Sequence, residues 1–204
     1  MDLTQTRTSL HAVAELLLAG PQYDASGDIR LRVVPGGFGT VALPDLRVVG
    51  SELVGPGGRH PLSGTYAAAA AALGVSPRRL DAVYSDTVEV EDDDEIVTEA
   101  SHVAVLVEAF ARGDAALRAF APSEEPVLWP EHFDIGITLA EVNYGVSPGD
   151  STIPEPYAYV GPWAPRQGEF WNHSFGAARP LTELVDVRAF FSEGARRATN
   201  DPPA

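Results

Sequence analysis

Hydrophobic residues recur at helical spacing in four stretches of the chain, which predicts four helices. They lie at residues 8–19, 65–73, 96–112 and 181–198. Gly20-Pro21 is expected to stop the first helix, and the second contains six consecutive Ala, the residue with the highest helix propensity. Gly113-Asp114 is expected to end the third helix and to begin a short one that reaches Phe120.

Alternating hydrophobic and polar residues predict a first group of strands between Ile29 and Val54. Pro35-Gly36-Gly37 separates two such runs, which is typical of a hairpin, and a second β-like pair covers residues 46–49 and 51–54. The glycine-rich residues 55–61 are predicted to form a surface turn, because they lack the spacing of a phosphate-binding loop. Residues 83–90 are a further candidate strand.

A second group of strands is predicted between Trp129 and Val160. If residues 131–139 form a strand, one face carries Phe133, Ile135, Ile137 and Leu139, and the other carries His132, Asp134 and Thr138. Residues 155–160 alternate in the same way. Antiparallel pairing of the two strands, with the turn at residues 147–150, would bring five polar side chains to one face: His132, Asp134, Glu155, Tyr157 and Tyr159.

These elements predict an α+β fold, with an antiparallel sheet and helices packed against it. No internal repeat and no break in composition divides the 204 residues. We therefore expect one domain, residues 1–204, in which residues 199–204 are a flexible tail.

The composition excludes several kinds of chemistry. All fourteen basic residues are Arg, so no Lys is present to attach pyridoxal phosphate or to bind phosphate in a P-loop. Cys is also absent, which excludes thiolate metal sites and cysteine nucleophiles. We therefore predict no cofactor.

The formal charge of −15 bears on partners and location. A surface of that sign repels phosphate backbones and anionic lipids, so neither nucleic acid nor membrane is an expected partner. No apolar run is long enough to span a bilayer and no export signal is visible, so a cytoplasmic location is expected.

Aromatic residues concentrate in the segment from Trp129 to Phe175. It contains all three Trp and nine of the seventeen aromatic residues. Rigid rings of this density are typical of a pocket wall or of a tightly turned core segment. We predict a pocket for a small organic molecule, with five ligand-binding residues: Trp129, Asp150, Tyr159, Trp163 and Trp171.

Three motifs in this segment carry a resemblance to a known family. They are Trp-Pro-Glu-His-Phe-Asp (129–134), Tyr-Gly-Val-Ser-Pro-Gly-Asp (144–150) and Pro-Glu-Pro-Tyr-Ala-Tyr (154–159). In this region the chain resembles a bacterial family of unknown function that carries the three motifs in this order. The resemblance implies kinship without an activity, and it covers about a fifth of the chain.

The shared polar face has the residue types of an acid–base site. Imidazole titrates near neutral pH, and a neighbouring carboxylate orients and tunes it. We predict His132 as acid or base, Asp134 or Glu155 as its partner, and Tyr157 or Tyr159 as the group that orients a ligand.

Three other interpretations remain open at this point. The polar face could be a structural hydrogen-bond network. Trp163, Phe170, Trp171 and Phe175 could form an exposed patch that binds a protein partner. Finally, His132, Asp134 and His173 follow the order of a two-His, one-carboxylate iron site.

Overall fold

A computed structural model describes residues 2–85 and 87–204 and confirms the α+β class. The strands, in chain order, are β1 (Leu31–Val34), β2 (Gly37–Thr40), β3 (Arg47–Val49), β4 (Glu52–Gly55), β5 (Gly58–Pro61), β6 (Gly64–Thr65), β7 (Glu95–Ile96), β8 (Val127–Trp129), β9 (Asp134–Leu139), β10 (Val142–Ser147), β11 (Tyr157–Pro162) and β12 (Ala177–Pro180). Ten of them form one antiparallel sheet in the order β12-β11-β10-β9-β8-β1-β2-β3-β4-β5, while β6 pairs with β7.

Helices cover one face of the large sheet. They are α1 (Thr4–Ala12), a π-helical segment (Val13–Ala19), α2 (Gly20–Ser26), α3 (Tyr66–Leu73), α4 (Ala100–Phe120) and α5 (Val187–Asn200). Helix α4 packs on β9, β10, β1 and β2, and α5 packs on β10 and β11. No helix in the described part of the chain is long and apolar enough to cross a membrane.

The N-terminal helix does not stop where the sequence predicts. It begins at Thr4 and continues through Gly20-Pro21 to Ser26, where Gly27 adopts a left-handed conformation. Pro21 has no N–H to donate within the helix, and the Leu16 carbonyl one turn before it accepts a hydrogen bond of 3.0 Å from the Arg78 N–H instead. Gly20 serves close packing, since a Cβ there would lie 2.2 Å from the Arg78 carbonyl oxygen.

Glu15 lies on this helix and is buried, which its position in the sequence does not indicate. His11 and Glu15 lie four residues apart, a spacing that would favour a solvated pair on an exposed helix face. Instead, Glu15 is fully buried and His11 is largely buried. Glu15 accepts a hydrogen bond from the Val88 backbone N–H at 3.1 Å. Burial raises the pKa of the Glu15 carboxyl group.

Two other helices also differ from the predicted bounds. Helix α4 runs through Gly113-Asp114 without a break, and Gly113 allows the helix to pack closely on the sheet. A Cβ there would lie 2.8 Å from Ile135 Cγ2. Helix α5 begins only after Asp186, whose side chain accepts a hydrogen bond from the Ala189 N–H, so residues 181–186 form turns.

The expected surface turn at residues 55–61 contains the edge strand β5, which pairs with β4. The described residues of the candidate strand at 83–90 form no strand, and Asp86 lies outside the described residues. The segment predicted as a flexible tail makes backbone hydrogen bonds, from Gln167 N–H to the Pro202 carbonyl and from Ala204 N–H to the Pro165 carbonyl, each 2.9 Å long.

The second group of strands contains one strand more than the predicted pair. The chain turns at Ala140-Glu141, both with positive φ, and β10 lies between β9 and β11. Hairpin turns of this kind usually carry Asn or Gly, so the sequence gives little warning of this one. The predicted direct pairing of residues 131–139 with residues 155–160 is therefore wrong.

Candidate functional site

The face of β9, β10 and β11 that points away from the helices forms the floor of a cleft. The cleft has a volume of about 1030 Å³. The register places Thr138, Asn143 and Gly161 in one row, and Gly136, Gly145 and Tyr159 in the next. The inward residues of these strands, such as Ile135 and Val160, are buried under the helices.

His132 reaches the cleft from a turn and not from a strand. Strand β9 begins at Asp134, and the four-residue turn from Pro130 to Phe133 joins it to β8. Phe133 has a φ of +49°, and its side chain points into the core while that of His132 points to the opposite side. His132 is consequently exposed at the cleft wall, with Nε2 3.6 Å from a Glu131 carboxylate oxygen.

Phe133 anchors this turn in the aromatic part of the core. Its ring centroid lies 5.1 Å from that of Phe110 and 5.6 Å from that of Phe38. On its other side the His11 ring stacks on it at 5.3 Å, and His11 Nε2 donates a hydrogen bond of 2.7 Å to the Pro130 carbonyl. The position of His132 and Asp134 therefore depends on a buried contact with the N-terminal helix.

Tyr159 and Asp134 form a hydrogen-bonded pair across the width of β10. The Tyr159 hydroxyl donates to Asp134 Oδ2. Its side chain can lie flat on the sheet because the two intervening residues are glycines. A Cβ at Gly145 would be 2.4 Å from the hydroxyl oxygen, and one at Gly136 would be 3.0 Å from it.

Desolvation controls the ionisation of this pair. Burial raises the pKa of the Asp134 carboxyl group, and the hydrogen bond from Tyr159 offsets part of that effect. Burial and the neighbouring Asp134 charge together raise the pKa of Tyr159 well above its ordinary value. Asp134 thus holds its proton to a higher pH than an exposed carboxyl group, while the phenol of Tyr159 stays protonated.

Tyr157 and Asp150 form a second pair near one end of the cleft. The Tyr157 hydroxyl donates to Asp150 Oδ2 at 2.6 Å, and Asp150 Oδ1 accepts hydrogen bonds from the N–H groups of Thr152 and Ile153. Burial acts to raise the pKa of Asp150, but these hydrogen bonds and Arg7 outweigh it and lower the pKa. Asp150 is therefore an ionised group that holds the loop together.

Aromatic side chains form the remaining walls. Trp163 is 64% exposed, and its indole N–H donates to Asn143 Oδ1 at 3.3 Å. The ring of Phe175 is also exposed and stacks on His173 with the centroids 5.2 Å apart. Trp171 lines the cleft while its indole N–H donates to Asp201 Oδ2 at 3.0 Å.

The structure brings most of the predicted site residues together. Eight of the ten residues predicted as catalytic, ligand-binding or metal-binding line the cleft: His132, Asp134, Asp150, Tyr157, Tyr159, Trp163, Trp171 and His173. Trp129 lies in an adjoining shallow depression that shares His132, Asp134 and Tyr159 with the cleft. Glu155 does not join them, because it precedes β11 and accepts a hydrogen bond from the Thr182 hydroxyl at 3.0 Å.

The structure also bears on two of the alternative interpretations, the exposed aromatic patch and the iron site. Phe170 is buried against Phe190 with a ring-centroid distance of 5.5 Å, so it cannot take part in an exposed four-ring patch. His132, Asp134 and His173 share the cleft. However, no three His, Asp or Glu side chains within residues 2–85 and 87–204 are grouped so that they could hold a metal ion.

The sequence patterns did not identify several residues of the cleft. Asn143 lies on β10, which the predicted sheet lacks, and it accepts hydrogen bonds from both Thr138 and Trp163. Arg166 follows β11 in an irregular segment. The glycines Gly136, Gly145 and Gly161 carried a signal, since isolated glycines within strands indicate close approach of another group.

The two Tyr–Asp pairs should differ in their contribution to stability. We expect Tyr159→Phe to lower the free energy of unfolding by about 2 kcal/mol, because it removes a hydrogen bond to a partly buried carboxylate. Tyr157→Phe is the matched control. It should cost about 1 kcal/mol, since Asp150 keeps two backbone donors and the neighbouring Arg7. Urea denaturation of both variants measures the difference, and equal losses would contradict this interpretation.

Comparison with protein families, with curated protein sequences and with solved structures found no match to this chain.

Proposed function

We propose that the protein is an enzyme or binding protein for a small organic molecule, with an acid–base site at the Asp134–Tyr159 pair in the aromatic cleft. The hydrogen bond between Tyr159 and a desolvated Asp134 carries the proposal. A carboxyl group with a raised pKa keeps its proton to a higher pH than an ordinary carboxyl group, so it can donate that proton to a ligand and take it back. The Tyr159 hydroxyl fixes its orientation.

The other predicted residues take supporting roles in this proposal. His132, exposed at the wall and close to Glu131, is the second group able to exchange a proton with a ligand or with solvent. Trp163 and Phe175 offer exposed rings against which an apolar part of the ligand can pack. Glu155 has no role, because it does not line the cleft.

The position of the three sequence motifs supports the proposal further. Residues 129–134 contribute His132 and Asp134, residues 144–150 contribute the loop that ends at Asp150, and residues 154–159 contribute both tyrosines. The proposed kinship with the bacterial family therefore rests on the same residues as the proposed site. That resemblance adds no reaction to it.

A fragment screen tests the proposal. We expect small aromatic fragments bearing hydrogen-bond donors to shift the amide NMR resonances of the cleft, and Asp134→Asn to weaken their binding about tenfold, which corresponds to about 1.4 kcal/mol. Asp24→Asn is the control, because Asp24 pairs with Arg78 at the surface and lies outside the cleft. If no fragment binds there, or if both variants bind equally well, the proposal is wrong.

A further inference from the structure

The charged side chains that line the cleft differ in the partners that lie close to them. Five lining side chains can carry a charge: Asp134, Asp150, His132, Arg166 and His173. Asp150 has the Arg7 guanidinium nearby. Arg166 directs Nε to the Ala198 carbonyl at 2.8 Å and Nη1 to the Ala164 carbonyl at 3.2 Å.

Asp134 is the carboxylate that lacks a strong cation. Its neighbours that can carry a charge include His132 and Glu131, and no Arg within residues 2–85 and 87–204 forms an ion pair with it. Desolvating an anion without a cationic partner is unfavourable, and a bound cation would offset that cost. The chain's net charge of −15 adds a long-range field that attracts cations and repels anions.

The exposed rings suit the same kind of ligand. An indole is the aromatic side chain that attracts cations most strongly through its face. The Trp163 side chain is held through its N–H by Asn143 and remains 64% exposed. Tyr157 and Phe175 lie next to each other along the same cleft, with their ring centroids 6.5 Å apart.

We propose that the ligand of this cleft is an organic ammonium compound, whose charged nitrogen is bound between the Asp134 carboxylate and the aromatic rings. This inference rests on the proposed function and narrows it to one ligand class. The Tyr159 hydroxyl keeps Asp134 Oδ2 in place, and the carboxylate faces the positive charge of the ligand.

Three probes of similar size and different charge test the ligand class: phenethylammonium, 2-phenylethanol and phenylacetate. Each is titrated into the full chain at neutral pH while the amide resonances of the cleft are followed by NMR. We expect phenethylammonium to bind about tenfold more tightly than 2-phenylethanol, and phenylacetate to bind most weakly. In Asp134→Asn the advantage of phenethylammonium over 2-phenylethanol should disappear, whereas Asp24→Asn, with the same change in net charge, should retain it.

The outcomes separate this inference from the proposed function. If 2-phenylethanol or phenylacetate binds in the cleft at least as tightly as phenethylammonium, the ammonium inference is overturned and the small-molecule site stands. The inference is also overturned if none of the three probes binds there while uncharged fragments do. If no molecule of any charge binds in the cleft, both proposals fail.

Discussion

Replacing Phe133 by Ala is expected to lower the free energy of unfolding by about 3–5 kcal/mol, the range for removing a fully buried Phe side chain. The Phe133 ring is 1% exposed and contacts Phe38, Phe110 and His11. Its loss leaves a cavity in the part of the core that supports the β8–β9 turn. The turn should then lose its fixed position, and with it the placement of His132 and Asp134.

Chemical denaturation measures the stability loss, and amide NMR shifts of residues 130–134 report the change in the turn. Phe175→Ala is the matched control, because Phe175 lines the cleft but is 42% exposed. It should cost no more than about 1 kcal/mol. A Phe133→Ala protein with normal stability and an unchanged turn would show that this ring does not position the site.

The titration of His11 should also lower the free energy of unfolding by about 3 kcal/mol as the pH decreases from about 6.5 to 4. Burial lowers the pKa of His11 from 6.5 to about 4, and the nearby His132 and Arg7 act in the same direction. In this pH window the unfolded chain binds a proton at His11 that the folded chain does not. The free energy of unfolding therefore decreases as the pH falls, and the contribution is fully present above about pH 6.5.

The contribution of His11 is isolated by comparing variants, because Glu15 and Asp134 have raised pKa values and act in the opposite direction. His11→Gln keeps a side-chain donor for the Pro130 carbonyl but cannot titrate. Between pH 4 and 6.5, the stability of His11→Gln should depend less on pH than that of the wild-type protein. His60→Gln, at the β5 edge of the sheet, should keep the wild-type dependence. If His11→Gln keeps it as well, His11 is not the group responsible.

Local sequence patterns were sufficient for the class of fold and for the direction in which several side chains of β9 and β11 face. Period-two alternation depends only on the strand itself, so it correctly assigned Ile135 and Ile137 to the core and Tyr157 and Tyr159 to the opposite face. The Ala-rich helix α3 follows from propensity and from its Thr65 cap, whose side chain accepts from the Ala68 N–H. These features depend on residues adjacent in sequence, so they can be predicted without knowing which distant segments pack against them.

Tertiary contacts decided the features that local patterns misjudge. Gly20 and Gly113 look like helix ends, but each allows another segment to approach the helix closely. Glu15 looks exposed, but the segment that contains Val88 covers it. In each case the deciding neighbour is distant in sequence, so no window of adjacent residues could identify it.

The site itself combines both kinds of information. The sequence determined which residue types meet at the cleft, because the motifs place His132, Asp134 and the two tyrosines within 28 residues of one another. The tertiary structure decided how they meet. The Phe133 side chain in the core turns His132 outward, β10 separates the strands that the sequence pairs directly, and Gly136 and Gly145 leave Tyr159 the space to reach Asp134. Backbone reversal, strand order and close approach depend on how distant segments pack, which the order of residues along one strand does not encode.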